Sequence, residues 1–251
     1  MSRILLEVCV DTADGLAAAI EGGAHRIELC SALSLGGLTP SPGFMRAAAG
    51  AKIPVYAMIR PRAGNFVLSN AEIDMMRGDI DAARAAGLAG VVLGANLENG
   101  ALDEGGLFKL KEHSSGLGTT LHRAIDLVPD FLAAIDIAIG IGFERVLSSG
   151  GAKTALEGIE TLAAMHEHAN GRISVMPGSG VKAVNVRTLM ARFALKEAHG
   201  SCSVEPVETD AKAVAFGFAP PRARQTSAAE VAALRAALDQ NTPLTNSART
   251  M

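Results

Sequence analysis

Five short apolar stretches of the 251-residue chain carry ionisable or sulfur-bearing side chains at alternate positions: Glu7 and Cys9, Glu28 and Cys30, Met58 and Arg60, His122, and Glu197 and His199. Residues two apart on a strand point the same way. Charged groups facing an apolar helical layer would have neither solvent nor partner, so the pattern predicts that they meet in a shared interior. There Glu28, Arg60 and His122 form a set able to move protons. Asp126, four residues past His122 at a strand exit, is placed to orient the imidazole. The alternative for Glu28 with Arg60 is a buried structural ion pair, and for Glu7 a polar core group behind them.

Cys9 and Cys30 each lie two residues beyond a strand glutamate, hence at comparable depth. Neighbouring parallel strands are about 4.8 Å apart, so the two sulfurs can reach one small, soft ion. Such a pair suits Cu(I), with Met58 as a third ligand. Zinc would normally need four ligands, and no Cys-x-x-Cys occurs. The competing reading is two thiols packed as small hydrophobes. Cys202, on a long loop, has no obvious partner.

Two further segments suit anions. Arg60-Pro61-Arg62 places two guanidinium groups around a residue of fixed φ. Gly178, Ser179 and Gly180 follow a strand and precede a helical pattern, where backbone N–H groups can hold phosphate. Ser148-Ser149-Gly150-Gly151 has similar donor-rich character.

The elements positioning these groups alternate along the chain. Strands are expected over 4–10, 25–30, 55–60, 90–94, 119–123, 145–148, 173–176 and 193–199. Helical patterns cover 13–21, 70–86, 129–139, 156–168, 181–191 and 228–239, the last opened by Ser227 with Glu230 three residues on. Eight strands alternating with helices predict an α/β protein, a (β/α)8 TIM-type barrel, as one domain over 1–243. An open doubly wound sheet is less suitable, because Val10-Asp11-Thr12-Ala13-Asp14-Gly15 lacks the Gly-rich dinucleotide fingerprint. Residues 31–50 and 201–225 read as long connections, and 244–251 as a polar, disordered tail.

A net charge of −3, one Tyr and no Trp exclude the basic, aromatic surface of a nucleic-acid binder. Asp136 interrupts the apolar stretch at 131–143, which is too short to span a bilayer. Glu7 and Asp11 stop the N-terminal apolar run short of a secretory core. Three widely spaced Cys form no disulfide framework. These features predict a cytoplasmic protein with reduced thiols, no membrane partner and no nucleic-acid partner.

Several stretches resemble one family: Leu6-Glu7-Val8-Cys9-Val10-Asp11, Arg26-Ile27-Glu28-Leu29-Cys30, Gly36-Gly37-Leu38-Thr39-Pro40-Ser41, Met58-Ile59-Arg60-Pro61-Arg62 and Leu121-His122-Arg123-Ala124-Ile125-Asp126. Further on they include Arg145-Val146-Leu147-Ser148-Ser149-Gly150-Gly151, Met176-Pro177-Gly178-Ser179-Gly180 and Glu197-Ala198-His199-Gly200-Ser201. Over about 4–203 the chain resembles the copper homeostasis protein family CutC. The resemblance implies a cytoplasmic (β/α)8 barrel, copper homeostasis or tolerance, Cu(I) as the bound metal on Cys9 and Cys30, and a homodimer. Asn65, Leu68, Ile125 and Ser179 depart from the family's usual residues; the first removes a carboxylate from the loop after the third strand. The ionisable set also allows an enzyme acting on a small anionic or phosphorylated metabolite. In that alternative Arg60, Arg62 and 178–180 hold the anion, and Glu28, His122 and Asp126 handle protons.

Overall fold

The computed structural model describes residues 3–204 and 207–240. Eight parallel strands alternate with helices in chain order: β1 (Leu5–Val10), α1 (Ala13–Glu21), β2 (Arg26–Leu29), α2 (Pro42–Ala48), β3 (Val55–Met58), α3 (Asn70–Ala85), β4 (Gly90–Leu93) and α4 (Glu104–His113). There follow β5 (Gly118–Leu121), α5 (Phe131–Ile141), β6 (Arg145–Ser148), α6 (Ile159–Ala169), β7 (Ser174–Pro177), α7 (Val186–Arg192) and β8 (Glu197–Gly200). A short hairpin of β9 (Val207–Glu208) and β10 (Arg222–Ala223), with α8 (Ala211–Ala215) between its strands, precedes α9 (Ala228–Asp239).

The sheet order β7-β6-β5-β4-β3-β2-β1-β8 makes a nearly closed barrel. It rounds at β7 and β8, where a Cβ on Gly178 would stand 3.4 Å from His199 Cδ2. Outward-facing strand residues such as Leu6, Val8, Ile27, Leu29, Val91 and Leu121 are buried against the helical layer, with Met76, Ile80, Leu107, Ile135 and Leu234. Inside the barrel the apolar cluster is small: Cys30, Tyr56, Met58 and Val92. The alternation thus sorts aliphatic residues outward and ionisable ones inward, as expected from two-residue parity.

Helix starts follow cap chemistry. Ser69 and Glu72 form a reciprocal capping box at α3, and Ser227 accepts from Glu230 N–H at α9. Three helices were not expected: α2, α4 and the short α8. The turn-rich stretch before α2 conceals Ser41, whose side chain accepts from Phe44 N–H, and Pro42 at the first helical position. Gly105 and Gly106 weaken the pattern of α4, but Asp103 caps it. The pattern at 181–191 is helical only from Val186, because Lys182–Asn185 form a turn in which Lys182 N–H donates to Asn185 Oδ1. The Gly178–Gly180 loop therefore does not open directly onto a helix. The connection 201–225 holds the hairpin and α8, and the expected tail 244–251 lies outside the described residues. No helix among the described residues is long and apolar enough to cross a membrane.

Candidate functional site in the barrel

Register sets which side chains meet. Glu7 pairs with Arg26 on one side and His199 on the other, and Cys9 pairs with Glu28. All point inward, so the barrel interior is an ion network. Arg26 Nε donates to Glu7 Oε2 and its Nη2 to Glu197 Oε2. Arg145 donates to Glu197 at 3.1 Å, to Glu144 at 2.8 Å and to Thr120 Oγ1 at 3.1 Å. Tyr56 lies between the two guanidinium groups, 5.3 Å from Arg26 and 5.1 Å from Arg145. Arg26 and Arg145 were overlooked in the sequence, although Arg26 shares parity with Glu28.

Above this network Cys9, Glu28 and His199 offer donor atoms within 4.8 Å of one another, all buried. His199 Nδ1 lies 2.8 Å from Glu7 Oε1, and His199 Nε2 lies 3.8 Å from Glu28 Oε2. Cys30 Sγ is 3.7 Å from Glu28 Oε2. Burial raises the Glu28 carboxyl to about 7 against the attraction of His199, with Glu7 adding to the rise. Burial also pushes the Cys30 thiol well up, reinforced by Glu28. Burial alone would lower His199, but Cys9 and Glu28 outweigh it, and the imidazole stays protonated well above its ordinary range. Glu28 Oε1 is buried, with no hydrogen-bond partner among the described residues.

A second group stands at the strand ends. Arg60, 8% exposed, spends Nη1 on Leu35 O at 2.9 Å and Gly37 O at 3.0 Å, and Nη2 on Gly64 O at 3.0 Å. It makes no ion pair with Glu28, contrary to the pairing reading: loop carbonyls from both sides reach it first. His122 Nδ1 accepts from Ala124 N–H at 3.1 Å. Its ring is 4.7 Å from that of Phe66, which also lies 5.0 Å from the Arg60 guanidinium. Phe66, on an irregular loop, carried no periodic signal.

Gly94 makes room for His122. A Cβ there would stand 2.5 Å from His122 Nδ1 and 2.9 Å from Ala124 Cβ. Gly94→Ala is expected to cost about 1–3 kcal/mol through overpacking, and to shift the His122 ring resonances. Thermal melting and NMR of the variant check both.

Three expected site residues are placed elsewhere. Asp126 does not touch His122; it accepts from Arg123 Nε at 2.7 Å, Ser148 Oγ at 2.6 Å, Ser149 N–H at 2.9 Å, Ser149 Oγ at 2.9 Å and Gly151 N–H at 3.2 Å. It thereby ties down the loop after β6, and Ala124 takes over the orienting of His122. Arg62 points away from Arg60, because the strand ends at Met58 and two-residue parity lapses beyond it; Arg62 pairs with Glu72 and donates to Val67 O at 2.7 Å. In the 178–180 loop, Ser179 at φ 71 turns its hydroxyl to Lys153 O at 2.8 Å. A surface groove lined by Asn70, Ile73, Asp74, Arg77, Lys109 and Glu112 lies on the outer helices and shares none of these residues.

Fold and interior together define a (β/α)8 barrel with a buried polar core and thiols near its C-terminal rim. The CutC family model matches residues 4–204, and the chain belongs to that family. Among its relatives, family protein CutC of Sinorhizobium medicae (strain WSM419) is 59% identical over 239 residues, covering 95% of this chain and 98% of the relative. That of Caulobacter vibrioides (strain NA1000 / CB15N) is 56% identical over 232 residues, covering 92% and 95%. The crystal structure of CutC from Streptococcus agalactiae superposes with a TM-score of 0.75 at 34% identity, covering 79% of this chain and 98% of that one.

Proposed function

We propose that the protein serves copper homeostasis by binding Cu(I) in the barrel, with Cys9 and Cys30 as sulfur ligands. The streptococcal relative carries a copper homeostasis designation. The observation that carries the reading is the convergence of Cys9 with Glu28 and His199 inside 4.8 Å, with Cys30 Sγ 3.7 Å from Glu28. Bonds of about 2.3 Å to sulfur and about 2.0 Å to imidazole nitrogen put donors on opposite sides of an ion about 4.3 Å apart. The cluster is close to that span. The Cys9 thiol and the His199 imidazole are soft to borderline donors that suit a monovalent copper ion, and Cys30, outside that cluster but 3.7 Å from Glu28 Oε2, brings a second sulfur with the Met58 thioether beside it. Glu28 Oε1, buried without a partner, is available to the same ion.

His199, which the sequence placed among the interior groups but not among the ligands, joins them in this reading. Glu7 holds its Nδ1 and leaves Nε2 toward the sulfur of Cys9. Ligation needs thiolates and a neutral imidazole, so uptake releases protons and tightens as pH rises. A cytoplasmic location suits the reduced thiols this requires.

Anaerobic Cu(I) titration against a competing chelator tests the site. One Cu(I) per chain is expected, with affinity falling by more than about 100-fold in Cys9→Ser/Cys30→Ser. Undiminished binding in a double variant that melts like the parent would overturn the assignment.

A further inference from the structure

Arg60 is a buried cation with no acidic partner. Its three hydrogen bonds go to backbone carbonyls, and among the described residues no carboxylate oxygen lies within 4.0 Å of it. Its Nε–H is buried and unpaired. An unsatisfied buried donor is costly, more so on a charged group. His122, 3% exposed, repeats the situation: Nδ1 accepts from Ala124 N–H, which leaves the proton on Nε2, and Nε2 has no partner.

The two groups are neighbours: the Arg60 charge acts on His122, and both pack on the Phe66 ring. Met58 pairs with Val92 and Val92 with Thr120, so two residues further on Arg60, Gly94 and His122 stand in a row across the ends of β3, β4 and β5. The glycine in the middle has no side chain to separate its neighbours, and the His122 ring lies over it. The ring of Phe66 packs on both groups, 4.7 Å from the imidazole and 5.0 Å from the guanidinium. Displacing Phe66 would free the face of both groups on which its ring packs. The position is the C-terminal rim, where barrels bind their ligands.

We propose that Arg60 and His122 form a binding site for a small monoanionic carboxylate, closed in this structure by Phe66. Arg60 Nε–H and His122 Nε2–H each donate to a carboxylate oxygen, and Phe66 swings aside to admit the ligand. The charge favours a monoanion over a phosphate dianion. Arg60 brings one uncompensated positive charge, while burial first and Arg60 second hold His122 down at about 3, hence neutral. Arg62 is close enough for its charge to act on Arg60, but its pairing with Glu72 leaves the net charge of the site at one. The site uses neither cysteine, so a cysteine double variant tests it apart from copper binding.

Titrating the full-length, imidazole-15N-labelled protein with pyruvate, and separately with inorganic phosphate at pH 8, tests the proposal. Pyruvate is expected to move the His122 Nε2 resonance saturably, and phosphate to bind at least about tenfold more weakly. Arg60→Gln should lower pyruvate affinity by about tenfold or more, and His122→Phe, which keeps the stacked ring, by about fivefold. Phe66→Ala should bind at least as tightly as the parent, and Cys9→Ser/Cys30→Ser should bind pyruvate unchanged. Absence of a saturable pyruvate shift, tighter binding of phosphate, or parent-like affinity in His122→Phe would each overturn it. The last outcome decides the matter even where Arg60→Gln fails to fold.

Discussion

Arg26→Leu is expected to destabilise the protein by about 3–5 kcal/mol, the usual penalty for removing one partner of a buried ion pair. Arg26 is 3% exposed and touches two carboxylates, Glu7 at 0% and Glu197 at 13%. Glu197 keeps Arg145, at 3.1 Å, but Glu7 keeps only His199. The stranded charge is therefore mostly that of Glu7. At about 2–4 °C per kcal/mol for a chain of this size, Tm should fall by about 6–20 °C. Glu7→Gln/Arg26→Met should recover part of the loss, because it removes both charges from the interior. Equal melting of Arg26→Leu and the parent would mean that the network contributes no stability.

The same network has a pH signature. Burial alone would raise the Glu7 carboxyl, but Arg26 and His199 overcome it and hold it at about 2. The folded value lies below the unfolded one, about 4.3. Its contribution is thus complete above the unfolded value and lost as pH falls toward 2. Denaturant melts of the parent between pH 5 and 2 should show this decline, and Arg26→Leu should show a shallower one.

Asp126→Ala is the second large effect, expected at about 3 kcal/mol or more. Its carboxylate, 5% exposed, accepts from five donors: Arg123 Nε, the hydroxyls of Ser148 and Ser149, and the N–H groups of Ser149 and Gly151. Hydrogen bonds to a charged acceptor are the stronger kind, and their loss leaves the buried Ser149 N–H unpaired. Asp126→Asn should fall between parent and alanine variant, having one oxygen to offer where the carboxylate offers two. A proton-handling role without a structural one would leave the melting of both variants at the parent value.

Alternation and spacing along the chain suffice to specify the barrel and the parity of its strands. Glu7, Cys9, Glu28, Cys30 and His199 were legible as interior groups because alternation along a parallel strand leaves charge no other place to go. Past the strand ends that rule has no hold. There Arg60 turns inward and Arg62 outward, Asp126 leaves His122 for a neighbouring loop, and Phe66 arrives from a segment without period. That Cys9 is the cysteine beside His199, and that Arg60 is held by carbonyls rather than by Glu28, emerges only in the folded chain. Those outcomes depend on strand register and loop closure, which bring together residues far apart in the chain through distances that local pattern does not encode.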